Sequence, residues 1–303
     1  MSIFKNVKKE IKKNKQVRLD GGYTCIPFVL MPKLGKIVPG VEQEKYYLVT
    51  ANSKVGKTKL ADFLFVYNPY EFATKYKSDI KVKIFYFSLE VSKEEKVSQY
   101  YSYRLYKDHN IIISPEKLKS RFESYILEDE IEKLIDSYDE EMEKFESMVE
   151  FIDNVKNPYG IYKHVRNHAF KNGTHYDING KAIPLSELMS DDTKVRDRAN
   201  LSIHRYEPHD PNEYVIVVVD HLSLLHPERG ADLWSTIFSF SDIDRLGDNY
   251  REFLVMLNRS GSGFTNIDLY FNGAVNFFKE LPLPTEIKEE HYKGIEETNK
   301  KAR

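Results

Sequence analysis

"YYLVTANSKVGKTKLADFLF", residues 46–65, decides how the rest of the chain is read. An apolar run to Thr50 gives way to a small, polar stretch from Ala51 to Gly56; Lys57-Thr58 and a second apolar run follow. "KYYLVT" (45–50) predicts a short buried strand, and "KTKLADFLFVY" (57–67), apolar every three to four residues, predicts a helix. Strand, loop and helix in that order are the context a phosphate-binding loop requires. Backbone N–H groups of such a loop wrap a phosphate, and the helix N-terminus adds partial positive charge. The loop would be Ala51, Asn52, Ser53, Lys54, Val55, Gly56, Lys57 and Thr58. Gly56 would permit close backbone approach, Lys57 would reach the β- and γ-phosphates of ATP, and Thr58 would offer its hydroxyl to Mg²⁺. Ala51 stands where the usual pattern has glycine.

Two further strand ends carry carboxylates. "YVIVVVD" (214–220) is the strongest strand signal and ends in Asp220, where ligands gather in open α/β sheets. An acid there can hold Mg²⁺ through water beside the loop threonine, although such aspartates also serve as structural caps. "KVKIFYFSLE" (81–90) ends in Glu90, which could orient and deprotonate a water attacking the γ-phosphate. Ser88 and Ser92 flank it, a setting that also suits an ordinary glutamate at a helix start.

The three stretches together resemble the DnaB-like replicative helicases, hexameric RecA-fold motors, particularly their phage-encoded members. In that family the loop commonly begins with alanine, so Ala51 is similar to the family's own variant. "SLEVS" (88–92) and "DHLSLL" (220–225) resemble the family's S-L-E-M-S and D-Y-L-Q-L, with His221 where tyrosine is common. "IPFVLMPKLGKIVPGVEQEKYYLVTA" (26–51) resembles the segment where the family's ATPase domain begins, and "FLVMLNRSGSGFTNIDLYFNG" (253–273) resembles its closing strands. The resemblance puts Arg259 on the arginine that reaches into a neighbouring subunit's ATP site, while Leu257 replaces a lysine expected there.

Against this resemblance stands the shortness of residues 221–258 between Asp220 and Arg259. At about 3.3 Å per strand residue and 1.5 Å per helical residue they hold one helix, one strand and turns. The family's glutamine-type sensor and DNA-facing loops have no residues to map onto. The stretch from Glu90 to Asp220, by contrast, is long and carries an acidic helical insertion at about 107–147. That insertion reads either as a solvated elaboration or as a module for a replication partner.

Elsewhere the chain predicts a helix at about 92–106, a strand at 147–154, a helix at 161–173 and a polar, loop-like stretch at 174–212. Continuous apolar strands suit a parallel sheet covered on both faces. Residues 1–18 place Ile3, Val7 and Ile11 at helical spacing among lysines, a docking leader or a solvated tail. His164 and His168 lie four apart without a third ligand, and the one cysteine, Cys25, reads as a packing residue. The 303 residues are 41% hydrophobic and 30% charged with a net charge of -2, so no global basic field announces nucleic acid. With no apolar run of membrane length and no signal peptide, a soluble, cytoplasmic protein is expected, in the host cytoplasm if phage-encoded.

The expected class is α/β: a RecA-like P-loop NTPase core with a mainly parallel sheet flanked by helices, plus the insertion. A basic leader (1–22), an ATPase domain (23–284) and a charged tail (285–303) make up the chain. The resemblance implies ATP and Mg²⁺ as cofactors, single-stranded DNA as partner, a homo-oligomeric ring of hexamer type, and DNA unwinding as activity. A non-motor ATP-binding protein and a RecA-type recombinase or regulatory ATPase are the alternatives.

Overall fold

The computed structural model describes residues 3–51, 55–221, 224, 238–241, 250–255 and 265–281. In chain order the elements are α1 (Ile3–Leu19), α2 (Pro32–Ile37), β1 (Val49–Ala51), α3 (Lys57–Asp62), a π-helical turn (Phe63–Tyr67), α4 (Asn68–Lys75), β2 (Lys81–Ser88), α5 (Lys93–His109) and α6 (Pro115–Leu118). They continue with α7 (Asp129–Asp136), α8 (Asp139–Met148), β3 (Val149–Ile152), α9 (Pro158–Lys171), β4 (Gly173–Tyr176), α10 (Leu185–Leu188), α11 (Thr193–Leu201) and β5 (Arg205–Pro208). The last five are β6 (Glu213–Asp220), β7 (Phe238–Ser241), β8 (Tyr250–Val255), β9 (Thr265–Asn272) and β10 (Phe277–Glu280).

The class is α/β. β2 lies between β3 and β6 in a parallel three-stranded sheet, with Ser88 opposite Asp220 at its C-terminal edge. β2 is covered on both faces because both of its faces are apolar. Ile84 and Tyr86 enter the main core, while Phe85 and Phe87 pack with Ile161 and Val165 of α9. β6 departs from the expectation of full cover: Val215 and Val217 remain 38% and 41% exposed.

A second sheet runs β1-β7-β8-β9-β10. Only β1 and β7 pair in parallel here; β7 to β10 are antiparallel neighbours, so the expected parallel sheet is met by β3-β2-β6 and not by this second sheet. Residues 221–258 hold two described strands, β7 and β8, where one was expected. The stretch 174–212 is likewise no simple loop. β4 and β5 pair antiparallel across it and α10 and α11 pack inside through Leu188 and Ala199.

Helix α5 shows how sequence sets local structure here. Ser92 caps its N-terminus, accepting from the Glu95 N–H at 3.3 Å, and Asn110 ends it in a left-handed conformation. Its inner face stacks aromatics: Tyr100 lies 4.0 Å from Phe145 of α8 and Tyr103 4.5 Å from Tyr67. The acidic insertion is therefore not wholly solvated. Ile131, Tyr138, Met142 and Phe145 join the main core, and Arg104 ties α5 to Glu141 at 2.5 Å.

The first and last parts of the described fold meet at α2. The Glu280 carboxylate accepts from the N–H groups of Lys33 at 2.6 Å and Leu34 at 2.7 Å, where unpaired amides and the helix dipole favour an anion. α1 has the predicted helical form, with Ile3, Phe4 and Ile11 exposed. No helix among the described residues is long and apolar enough to cross a membrane.

Candidate active site

β1 and β6 deliver their C-terminal ends to one place. The strand expected at 45–50 is confined to Val49–Ala51, and the chain beyond it enters α3 through Gly56. Gly56 has φ +104, a left-handed value, and a Cβ there would lie 3.1 Å from the Phe271 ring. Only glycine meets both conditions. The helix then opens on Lys57 and Thr58, so their amides face outward at its N-terminus.

Thr58 Oγ1 donates to Asp220 Oδ1 at 3.0 Å. Sequence-predicted residues 162 positions apart thus meet, and both offer hard oxygen ligands of the kind Mg²⁺ takes along with water and phosphate. Lys57 Nζ donates to the Ala51 carbonyl at 2.9 Å, so its ammonium lies over the start of the loop. Val55 is buried. Asn52, Ser53 and Lys54 lie outside the described residues, as do Arg259 and Leu257.

Glu90 follows β2 by two residues, beside the same sheet edge. Its side chain is 59% exposed, and Oε2 stands 3.7 Å from His221 Nε2. An exposed carboxylate at the rim can take up a proton from water and release it to solvent. The backbone there is pinned by the Leu89 N–H donating to the Asp220 carbonyl at 2.8 Å.

Several residues that the sequence pattern did not single out stand behind the site. Tyr86 OH donates to Asp220 Oδ2 at 3.1 Å, and Lys96 Nζ lies 2.8 Å from that hydroxyl and 3.6 Å from Asp220 Oδ2. Lys96 also pairs with Asp62 at 2.9 Å, with both side chains almost fully buried. Burial, with Asp62 and Asp220 nearby, pushes the Tyr86 phenol well above its ordinary 10, so it remains a donor. Lys59, lowered from 10.5 by burial, donates to the Gly273 carbonyl at 2.6 Å.

A cleft of about 700 Å³ runs between β1 and β6. Lys57 and Asp220 line one end, and Gln43 and Tyr214 the other. Ala51, Lys57, Asp220 and His221 are the residues it shares with the candidate site.

His164 and His168 each find a carboxylate partner. They contact Glu150 and Glu213, each at 3.1 Å, and turn their rings against Phe85. Among the described residues no group of three or more His, Cys, Asp or Glu gathers for a metal ion. A threonine–aspartate pair completed by phosphate needs no such group.

No family's sequence profile matches the chain, and no curated protein matches it.

Proposed function

We propose that this chain is a Mg²⁺-dependent ATP-binding and ATP-hydrolysing domain with a RecA-like P-loop core, acting as a DnaB-like replicative DNA helicase motor. The observation that carries the reading is the 3.0 Å contact between Thr58 and Asp220 at the mouth of a glycine-gated helix start. On this reading the loop amides and Lys57 bind the β- and γ-phosphates, and Thr58 and Asp220 hold the ion. Mg²⁺ supplies charge neutralisation on the phosphate oxygens. Glu90 orients the attacking water and takes its proton as the water oxygen bonds the γ-phosphorus and the bridging bond to the β-phosphate breaks.

Arg259 would stabilise charge in a neighbouring subunit's site, which implies a homo-oligomeric ring, a hexamer by resemblance, translocating on single-stranded DNA. Steady-state ATP turnover with and without single-stranded DNA tests this reading, beside Lys57→Ala and Glu90→Gln. DNA-stimulated turnover that both substitutions abolish supports the motor. A non-motor ATP-binding protein is the second reading, favoured by the short stretch 221–258 with its lack of a basic loop. It requires ATP binding that is indifferent to DNA.

A further inference from the structure

We infer that Lys96 and Tyr86 form a positioning relay that aims the Asp220 carboxylate at the metal bound beside Thr58, an inference that rests on the function proposed above. The starting point is an ammonium group in an unexpected place. The side chain of Lys96 is 1% exposed and that of its partner Asp62 2%. Buried ion pairs contribute little net stability, because desolvation offsets most of the attraction, and apolar residues of the same volume often serve as well. Stability alone therefore does not account for the pair.

Hydrogen-bond chemistry does. Lysine has three donors and no acceptor. Nζ of Lys96 reaches Asp62 Oδ1 and Oδ2 at 2.9 and 3.1 Å and the Tyr86 hydroxyl at 2.8 Å. Since the lysine can only donate, the Tyr86 oxygen must accept. Its single proton is then directed to Asp220 Oδ2, 3.1 Å away. The base of the relay is anchored too: Asn276 Nδ2 contacts Asp62 Oδ2 at 3.4 Å and donates to Tyr67 OH at 2.9 Å.

Asp220 thus presents two unlike oxygens. Oδ2 is engaged from the protein interior by Tyr86, with Lys96 at 3.6 Å, and Oδ1 faces Thr58. Interior partners of this kind orient a ligating carboxylate and tune its affinity. Lys96 and Tyr86 touch neither nucleotide nor metal and act through Asp220.

The test separates positioning from folding. Affinity for a non-hydrolysable ATP analogue is measured by calorimetry on the full chain, once with Mg²⁺ and once with EDTA. The ratio reports the metal's contribution. Tyr86→Phe keeps the ring and removes one hydrogen bond to a charged acceptor, so the ratio is expected to fall about tenfold. Analogue affinity in EDTA should stay within about twofold, since the phosphate contacts are untouched.

The double variant Lys96→Met/Asp62→Leu removes both buried charges and should likewise lower the ratio about tenfold while remaining folded. Should it fail to fold, Tyr86→Phe decides alone. A wild-type Mg²⁺ effect that folded variants leave unchanged overturns the relay and spares the ATP reading. A wild-type protein with no Mg²⁺ effect overturns both.

Discussion

Thr58 and Asp220 share a 3.0 Å hydrogen bond across 162 residues of sequence, joining the first turn of α3 to the end of β6. A hydroxyl and a carboxylate so placed hold each other in readiness for a cation. On the proposed reading, Thr58→Ala should lower the Mg²⁺-dependent part of nucleotide affinity at least tenfold. Its cost in stability, read from urea unfolding, should be only about 1.5–3 kcal/mol, the range for a hydrogen bond to a charged group.

Gly56 makes a second prediction. Its φ of +104 and the Phe271 ring, 3.1 Å from where a Cβ would stand, both act against any side chain. Gly56→Ala should destabilise the fold by about 1–3 kcal/mol and abolish nucleotide binding. Adding Phe271→Leu relieves the contact but not the backbone conformation, so binding should stay lost in the double variant. Recovery in calorimetry would show the ring, not the backbone, to be decisive.

Acid should loosen the junction of α4 and α5. Burial alone would raise the Glu71 carboxyl, yet Lys107 and Lys75, each at 2.5 Å, bring it below its ordinary 4.5. A lowered folded-state value means that the unfolded chain takes up the proton first. The stabilisation is therefore present above about pH 4.5 and lost as pH falls through the lowered value. Lys107 is itself lowered from 10.5 by burial, with Glu71 opposing, which bears on alkaline pH only. Denaturant unfolding midpoints from about pH 6 downward should drop more steeply in wild type than in Glu71→Gln.

Cys25 offers a direct chemical check. Burial, with Glu42 adding and Arg18 opposing, pushes its thiol up to about 11, and Sγ contacts the Pro39 carbonyl at 3.4 Å. Only about one molecule in a thousand carries the thiolate at pH 8. Iodoacetamide should modify the native protein far more slowly than the urea-unfolded chain. Equal rates would show that the segment around Ile26 and Val41 opens readily.

Much of the site was legible because its parts are local. A strand, a glycine, Lys57 and Thr58 fall within a few residues, and Asp220 ends an unmistakable apolar run. The strand pairing of 174–212 was not legible, because Gly173 meets Pro208 and Tyr176 meets Arg205 only through the fold. Turn-rich composition describes each half of such a pair and hides the partnership. The relay was hidden for a similar reason. Asp62, Tyr86 and Lys96 lie on three elements, and only packing tells a solvated lysine from a buried one. The expectation of strands covered on both faces failed at Val215 and Val217, since an apolar run reports what a residue prefers and not what stands beside it.

The clasp between Glu280 and the start of α2 has a consequence for how the chain comes into being. Lys33 leaves the ribosome 247 residues before the carboxylate that caps it. At about 5–20 residues per second, that interval is on the order of ten to fifty seconds. Throughout it, water must serve the helix amides, and the apolar partners of α2 are also only partly made. The amides that open α2 are thus served by β10, a strand made long after them, so synthesis, rather than local propensity, sets when this one helix start can settle.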